Sequence, residues 1–460
     1  MSIAATQRLT TAFRSGPLAV QSFRLLTSGQ LASTIGDYCY AVALPWLVLS
    51  NHGSTVLLGI VLACYGAPRT ILMPIGGVLT DKIGPRTLML FADVLRCVMV
   101  GVLTLLAARH TASLITLAPT AALIGAGEGL FLPASFAIMP ALLDESRLAA
   151  GNSLSFAAVQ VGSLLGPALG GALVATTGAS TAAMGVDAAS FAVSALTLAL
   201  IPRRAEAGSM AAKSAQAADS PPATADSPAA IAGSLTGEPE ILTGLAIAAP
   251  TSTATAEPTD RPQGVLAYIR KSRAIQVILV TAIVMNMANG GMNEVALPAL
   301  AHARWGAAAY GALLACLAAG AVIGTLAAGR TGRLRAPGYI ASVGFIVEGV
   351  ATSLVPFLGG KTGAAIALLF IGVCDGLGNV IFFTVAQRHI PAAILGRVMG
   401  VLMMCGGGSF PLSVLVTGVL VRHLGTTPFF PIAGIILTLS VIGGNTSREF
   451  RDFAHLPEPS

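Results

Sequence analysis

"IGAGEGL", residues 124–130, lies inside a long apolar run, and "IGVCDGL", residues 371–377, lies inside another run far down the chain. Each carries one carboxylate, Glu128 and Asp375, at the same place in the same glycine-flanked pattern. A charge at the centre of a membrane helix costs about 2.5–3.5 kcal/mol on insertion scales, so an acid in that setting has a partner, a wet cavity or a function. The repetition of the pattern points to two related halves.

Composition supports the membrane setting. Of 460 residues, 54% are hydrophobic and 10% are charged, against roughly 25% charged in an ordinary soluble domain. With about 20 apolar residues needed to cross a bilayer core, six spans are expected near 25–49, 55–79, 87–108, 114–138, 149–176 and 181–201. Six more are expected near 275–299, 307–328, 338–357, 363–386, 398–421 and 427–445. Glu128 then falls in the middle of span four and Asp375 in the middle of span ten, six spans apart and running in the same direction. Parallel repeats about an axis along the membrane normal place residues in this way. The expected fold is an all-α membrane protein with twelve transmembrane helices in two pseudo-symmetric six-helix bundles. Its parts are a cytoplasmic segment 1–22, a first bundle 23–202, a linker 203–265, a second bundle 266–446 and a tail 447–460. The linker is rich in Ala, Ser, Pro and Thr, cannot pack a core and is expected to be disordered.

Several function classes lose support at this stage. The net charge is +6, but the bases sit at the ends of apolar runs without a stripe or an aromatic platform, which argues against nucleic acid. Cys39, Cys64, Cys97, Cys316, Cys374 and Cys405 lie in apolar stretches without CxxC spacing, so neither a disulfide framework nor a metal site is expected. There is no G-x-x-x-x-G-K-[ST] loop to cradle ATP and no nucleophile elbow. No cofactor and no enzymatic activity are expected. Lys82, Arg86, Arg147, Arg203, Arg330 and Arg388 would share one side of the membrane, and only Arg109, Arg304, Lys361 and Arg422 the other. The excess of bases places both termini in the cytoplasm of a multi-pass inner (plasma) membrane protein.

The loop after span two reads "GGVLTDKIGPR". It resembles the signature loop of the major facilitator superfamily, G-x-x-x-D-R/K-x-G-x-R/K-R/K, through Gly77, Asp81, Lys82, Gly84 and Arg86, with Pro85 as a departure. The corresponding stretch after span eight, "GTLAAGRTGRLR", has Gly329 in place of the acid. In that superfamily the loop acts as a latch between the halves. Span five carries "GSLLGPALGGAL", with Gly162, Gly166, Pro167, Gly170 and Gly171. It is similar to the glycine-proline motif of proton-coupled drug exporters; glycines four apart make a smooth packing face, and neighbours satisfy the carbonyl freed by proline. The stretches "FRLLTSGQLASTIGDYCYAVALPWLV", "DVLRCVMVG", "PASFAIMPALL" and "DAASFAVSAL" look like the subgroup with macrolide-efflux and enterobactin-exporter proteins. Span four lacks the basic residue that many superfamily antiporters use there.

Other charges fall inside spans. Asp37 in span one and Arg69 in span two are expected to pair, since their helices are consecutive. Asp93 and Arg96 stand three apart on one face and are read as mutually neutralising, with Asp187 as a similar structural feature. Glu294 and Glu348 have no evident assignment, although Glu294 could line an outer gate. Glu128 and Asp375 have no base on their own spans and are read as proton-carrying groups facing one cavity, with Asn379 one turn beyond Asp375. The resulting expectation is a monomeric secondary transporter exporting a hydrophobic or amphipathic small molecule in exchange for protons, with the lipid bilayer as surroundings. An importer or facilitator of the same fold is the alternative within the class, and a receptor that binds without moving its ligand is the alternative outside it.

Overall fold

The computed structural model describes residues 16–202, 269–270, 272–329 and 337–390, together with 398, 401 and 404–446. The expected linker 203–265 and the tail 447–460 lie outside the described residues, as does most of the segment 1–22.

Among the described residues, twelve long helices follow one another: α1 (Gln21–His52), α2 (Thr55–Ile83), α3 (Pro85–Ala108), α4 (Leu114–Ala137), α5 (Glu145–Thr177) and α6 (Thr181–Leu200). Then come α7 (Ile275–Arg304), α8 (Ala307–Ala328), α9 (Pro337–Leu354), α10 (Lys361–His389), α11 (Phe410–Leu424) and α12 (Thr426–Thr446). Among the described residues, eleven helices, including a Met404–Leu424 span containing α11, are long and apolar enough to cross a bilayer; Gly338–Leu354 within α9 is a shorter apolar helix. Local chemistry sets several ends. Gly53 and Gly178 close α1 and α5 at φ +60° and +69°, left-handed conformations that cost glycine little. The Ser54 hydroxyl accepts the Leu57 N–H at the start of α2, at 3.2 Å. Prolines within α1, α2, α4 and α5 are tolerated because packed neighbours and local adjustments re-satisfy the freed backbone groups.

Helix pairing repeats across the two halves. In the first half α1 packs on α5 and α6, α2 on α4, and α3 on α4 and α6. Adding six to each number gives the principal contacts of the second half: α7 with α11 and α12, α8 with α10, and α9 with α10 and α12. The main contacts between halves, α5 with α8 and α2 with α11, also exchange under this operation. Outward faces stay apolar: Phe91, Val94, Val98, Val102 and Leu105 form an exposed stripe along α3, and Val343, Val347, Val350 and Leu354 form its counterpart on α9. Contiguous exposed apolar surface on this scale belongs against lipid.

Among the described residues, the core joins the halves at one end only. A single cluster runs from Val42, Leu58 and Val61 across to Leu297, Tyr310 and Val414. This is the end of the spans remote from the chain termini. Near the other end the cores are separate, with Phe23, Leu88 and Ile138 in one half and Phe345, Ile381 and Val441 in the other. The bundles therefore meet at one end and enclose a cavity behind that seam.

Candidate functional site

The seam is built from small residues. Gly162, Gly166 and Gly170 lie against Thr34, Ile35 and Cys39 of α1, so this face of the α5 motif joins two helices of the first half. Gly171 and the Pro167 carbonyl instead meet Gly311 of α8, where the halves touch. Beside them the Thr55 hydroxyl donates to the Gly418 carbonyl at 2.9 Å, and Ser50 meets His302 Nε2 at 3.2 Å with Trp46 edge-on to the imidazole. A side chain at Gly171 or Gly311 would push apart two backbones that carry the closure.

The cavity behind the seam has a volume of about 670 Å³, within the range of small-molecule sites. Tyr38, Gln160 and Pro167 line it from the first half; much of its wall comes from α7, α8, α9 and α10. Asp375 lines it and accepts from Asn379 Nδ2 at 2.8 Å. Glu348 is fully buried, lines it and accepts from Asn289 Nδ2 at 2.7 Å. Glu294 also lines it, within a π-helical turn, Met292–Ala296, that interrupts α7; such turns widen a helix locally and recur at functional sites.

Glu128 is placed differently from the sequence expectation. It is not part of the cavity wall and it has partners: Arg69 Nε lies 3.1 Å from Oε1, and the Tyr65 hydroxyl donates to Oε2. Gly125 and Gly129 set this meeting by letting α4 lie against the Tyr65 and Arg69 carbonyls. The expected Asp37–Arg69 pair is thereby corrected. Helices α1 and α2 are consecutive but make little contact, whereas α2 packs along α4, so Arg69 reaches Glu128. Asp37 instead lies 3.7 Å from Arg96. Arg96 donates to Asp93 at 2.6 Å, Ser194 donates to the other Asp93 oxygen at 2.6 Å, and Phe131 and Phe191 flank the guanidinium at 4.6 and 4.2 Å. Asp93 and Arg96 are buried. The bases that serve the α1 and α4 acids thus come from α2 and α3, although α4 has none.

The stretch expected as a loop forms the last turns of α2 and the turn into α3: Asp81 and Lys82 are exposed, Gly77 is uncrowded and Gly84 turns at φ +85°. Arg86 is buried and donates to the Leu198 and Ala199 carbonyls at 2.9 and 2.8 Å. A cation at these last carbonyls of α6 complements the negative end of the helix, so Arg86 ties α3 to α6 within one half. Residues 330–336, part of the corresponding stretch after α8, lie outside the described residues.

Sequence reasoning missed Tyr65 and Asn286, and it named Asn289 and Asn293 only as neighbours of Glu294. Both had a visible signal: Tyr65 stands one turn before Arg69, and "NMANGGMNE" repeats Asn at helical spacing.

Two pseudo-symmetric six-helix bundles around a central cavity define a multi-pass membrane transport protein. The chain belongs to the Major Facilitator Superfamily, whose family model matches residues 26–414. It is 31% identical to the multidrug efflux pump Tap of Mycolicibacterium fortuitum over 171 residues, 36% of this chain and 40% of that pump. It is 25% identical to the uncharacterized MFS-type transporter YfiS of Bacillus subtilis over 90% of each chain, and 24% identical to the enterobactin exporter EntS of Salmonella choleraesuis over 82% of this chain and 80% of that one. Among solved structures, the nucleoside transporter NupG matches with a TM-score of 0.66 at 11% identity, covering 92% of this chain and 99% of its own. A POT family transporter in complex with thioalcohol conjugated peptide matches with a TM-score of 0.67 at 14% identity, over 92% and 95%. These two likenesses bear on the fold alone.

Proposed function

We propose that this transporter is a monomeric exporter of hydrophobic or amphipathic small molecules, working by proton antiport and alternating access in the inner (plasma) membrane with both termini in the cytoplasm. The observation that carries this reading is the mixed apolar and acidic cavity, closed at the end remote from the termini. With the termini inside, this is the inward-facing member of an alternating pair, and substrate enters from the cytoplasm or inner leaflet. Likeness to Tap and EntS supports outward movement.

Two acids divide the work. Asp375 meets the substrate in the cavity. Glu128 trades the proton: taking one up removes the charge that holds Arg69, and losing it restores the contact. Because Asp37 and Glu294 are the other acidic electrostatic neighbours of Arg69, a released guanidinium is drawn toward α1 and the π-helical turn of α7 near the seam. That couples one proton to the contact between the bundles.

The test is proton movement in everted vesicles energised to be acidic inside, with a panel of lipophilic drugs and siderophores added. Wild type is expected to release protons when a substrate is added, and Glu128→Gln, still folded, to lose that release. Labelled compounds that equilibrate without moving protons would make the protein a facilitator; accumulation in the opposite direction would make it an importer. Binding without counterflow would make it a receptor.

A further inference from the structure

The two halves repeat one helix contact with different charge. Gly125 and Gly129 of α4 lie against the carbonyls of Tyr65 and Arg69; Gly372 and Gly376 of α10 lie against those of Leu317 and Ala321 in α8. The repeat thus matches Tyr65 with Leu317 and Arg69 with Ala321, as it matches Glu128 with Asp375. Glu128 has a guanidinium and a phenol beside it. At the matching place beside Asp375 stands Ala321, a cavity-lining methyl.

The acid on that side is also doubled. Glu348 is fully buried and lines the same cavity as Asp375. One of its oxygens takes the Asn289 amide, while Oε2 has no hydrogen-bond partner among the described residues. No lysine, arginine or histidine is among the described residues that line the cavity. Two carboxylates facing one cavity repel each other, and a cation between them restores the compensation that Arg69 gives Glu128.

We propose that Glu348 and Asp375 form a binding site for an organic cation, an amine or onium group on an apolar body, whose charge sits beside Ala321 as the Arg69 guanidinium sits beside Glu128. Tyr310, Phe345 and Phe382 border the same cavity and supply apolar surface and ring faces that attract a cation. No grouping of three or more metal-ligating side chains occurs among the described residues, which favours an organic over an inorganic ion. The inference rests on the reading of this cavity as the transport cavity and adds the charge of the substrate.

The test compares two probes of one shape and opposite charge, tetraphenylphosphonium and tetraphenylborate, by equilibrium dialysis against the full-length protein in neutral detergent, with empty micelles subtracted. The phosphonium is expected to bind at least tenfold more tightly than the borate. Asp375→Asn and Glu348→Gln should each weaken phosphonium binding tenfold or more. Ala321→Arg, which supplies the cation from the chain itself, should abolish it; Ala321→Met, which fills the same space without charge, should weaken it less. If Glu348→Gln does not fold, Asp375→Asn and the two Ala321 variants decide. Equal binding of both probes, no binding of the phosphonium to folded protein, or phosphonium binding that persists in Asp375→Asn or Ala321→Arg overturns the proposal. The vesicle assay separates the two ideas: a phosphonium that binds with this preference but is never moved refutes the exporter and leaves the site. Export of neutral and cationic compounds alike, without the binding preference, does the reverse.

Discussion

Arg69 Nε lies 3.1 Å from Glu128 Oε1, across the glycine-lined contact of α2 with α4, and not beside Asp37 on the consecutive helix. Residues joined in one ion pair couple by about 0.5–3 kcal/mol in a double-mutant cycle, whereas independent sites add to within about 0.5 kcal/mol. A cycle of Arg69→Gln with Glu128→Gln, read from unfolding in detergent, is expected to give a coupling in the upper half of that range. The cycle of Arg69→Gln with Asp37→Asn should give a clearly smaller value. The reverse ranking would place Arg69 with Asp37 and reject the pairing described above.

The matched glycines make a stability prediction. A methyl group at Gly125 or Gly372 would run into the carbonyl of Tyr65 or Leu317, whereas one at Gly101 meets nothing within 4 Å. Gly125→Ala and Gly372→Ala should each lose about 1–3 kcal/mol from overpacking. Gly101→Ala should be neutral or gain up to about 1 kcal/mol from helix propensity. Thermal unfolding of the three variants in one detergent checks the order.

The signature stretch at the α2–α3 junction separates stability from function. Arg86 holds two α6 carbonyls, and Asp81 is exposed. Arg86→Met should cost about 1.5–3 kcal/mol, the range for hydrogen bonds to a charged group. Asp81→Asn should stay within about 0.5 kcal/mol of wild type, as surface changes do, yet lower the transport rate if the loop is the latch that its resemblance implies. Equal loss of stability in both variants would remove that distinction.

On the exporter reading, the seam opens for substrate to leave. Ser50 and His302 touch across it, from α1 to α7. With the six native cysteines replaced, Ser50→Cys combined with His302→Cys should cross-link under mild oxidant, stop export and recover on reduction. Undiminished export by fully cross-linked protein would mean that this end stays closed through the cycle.

Asp375 shows how far sequence reading reaches. Its place in an apolar run, its glycine neighbour and its echo of Glu128 are all local, and the cavity contains it. Glu128 shows where it stops. Nothing on α4 signals a base, and the partner comes from a helix separated from α4 along the chain by α3. Glu348 and Glu294, unassigned from sequence, share the cavity wall because the helices that carry them face the same space.

By itself, the sequence determined the number and length of the spans, the repeat of two halves and the signature loop. Span length follows from the thickness of the hydrocarbon core, and the motifs are short-range patterns in which each residue acts through its immediate neighbours. The tertiary structure alone decided which acid received a cation, which acids faced the cavity and which end was closed. Ion pairing acts over a few ångströms between helices that need not be consecutive, so it depends on where glycine allows two backbones to meet. The same contact occurs twice, and one arginine in the first half, replaced by Ala321 in the second, makes one site self-contained and leaves the other to a ligand.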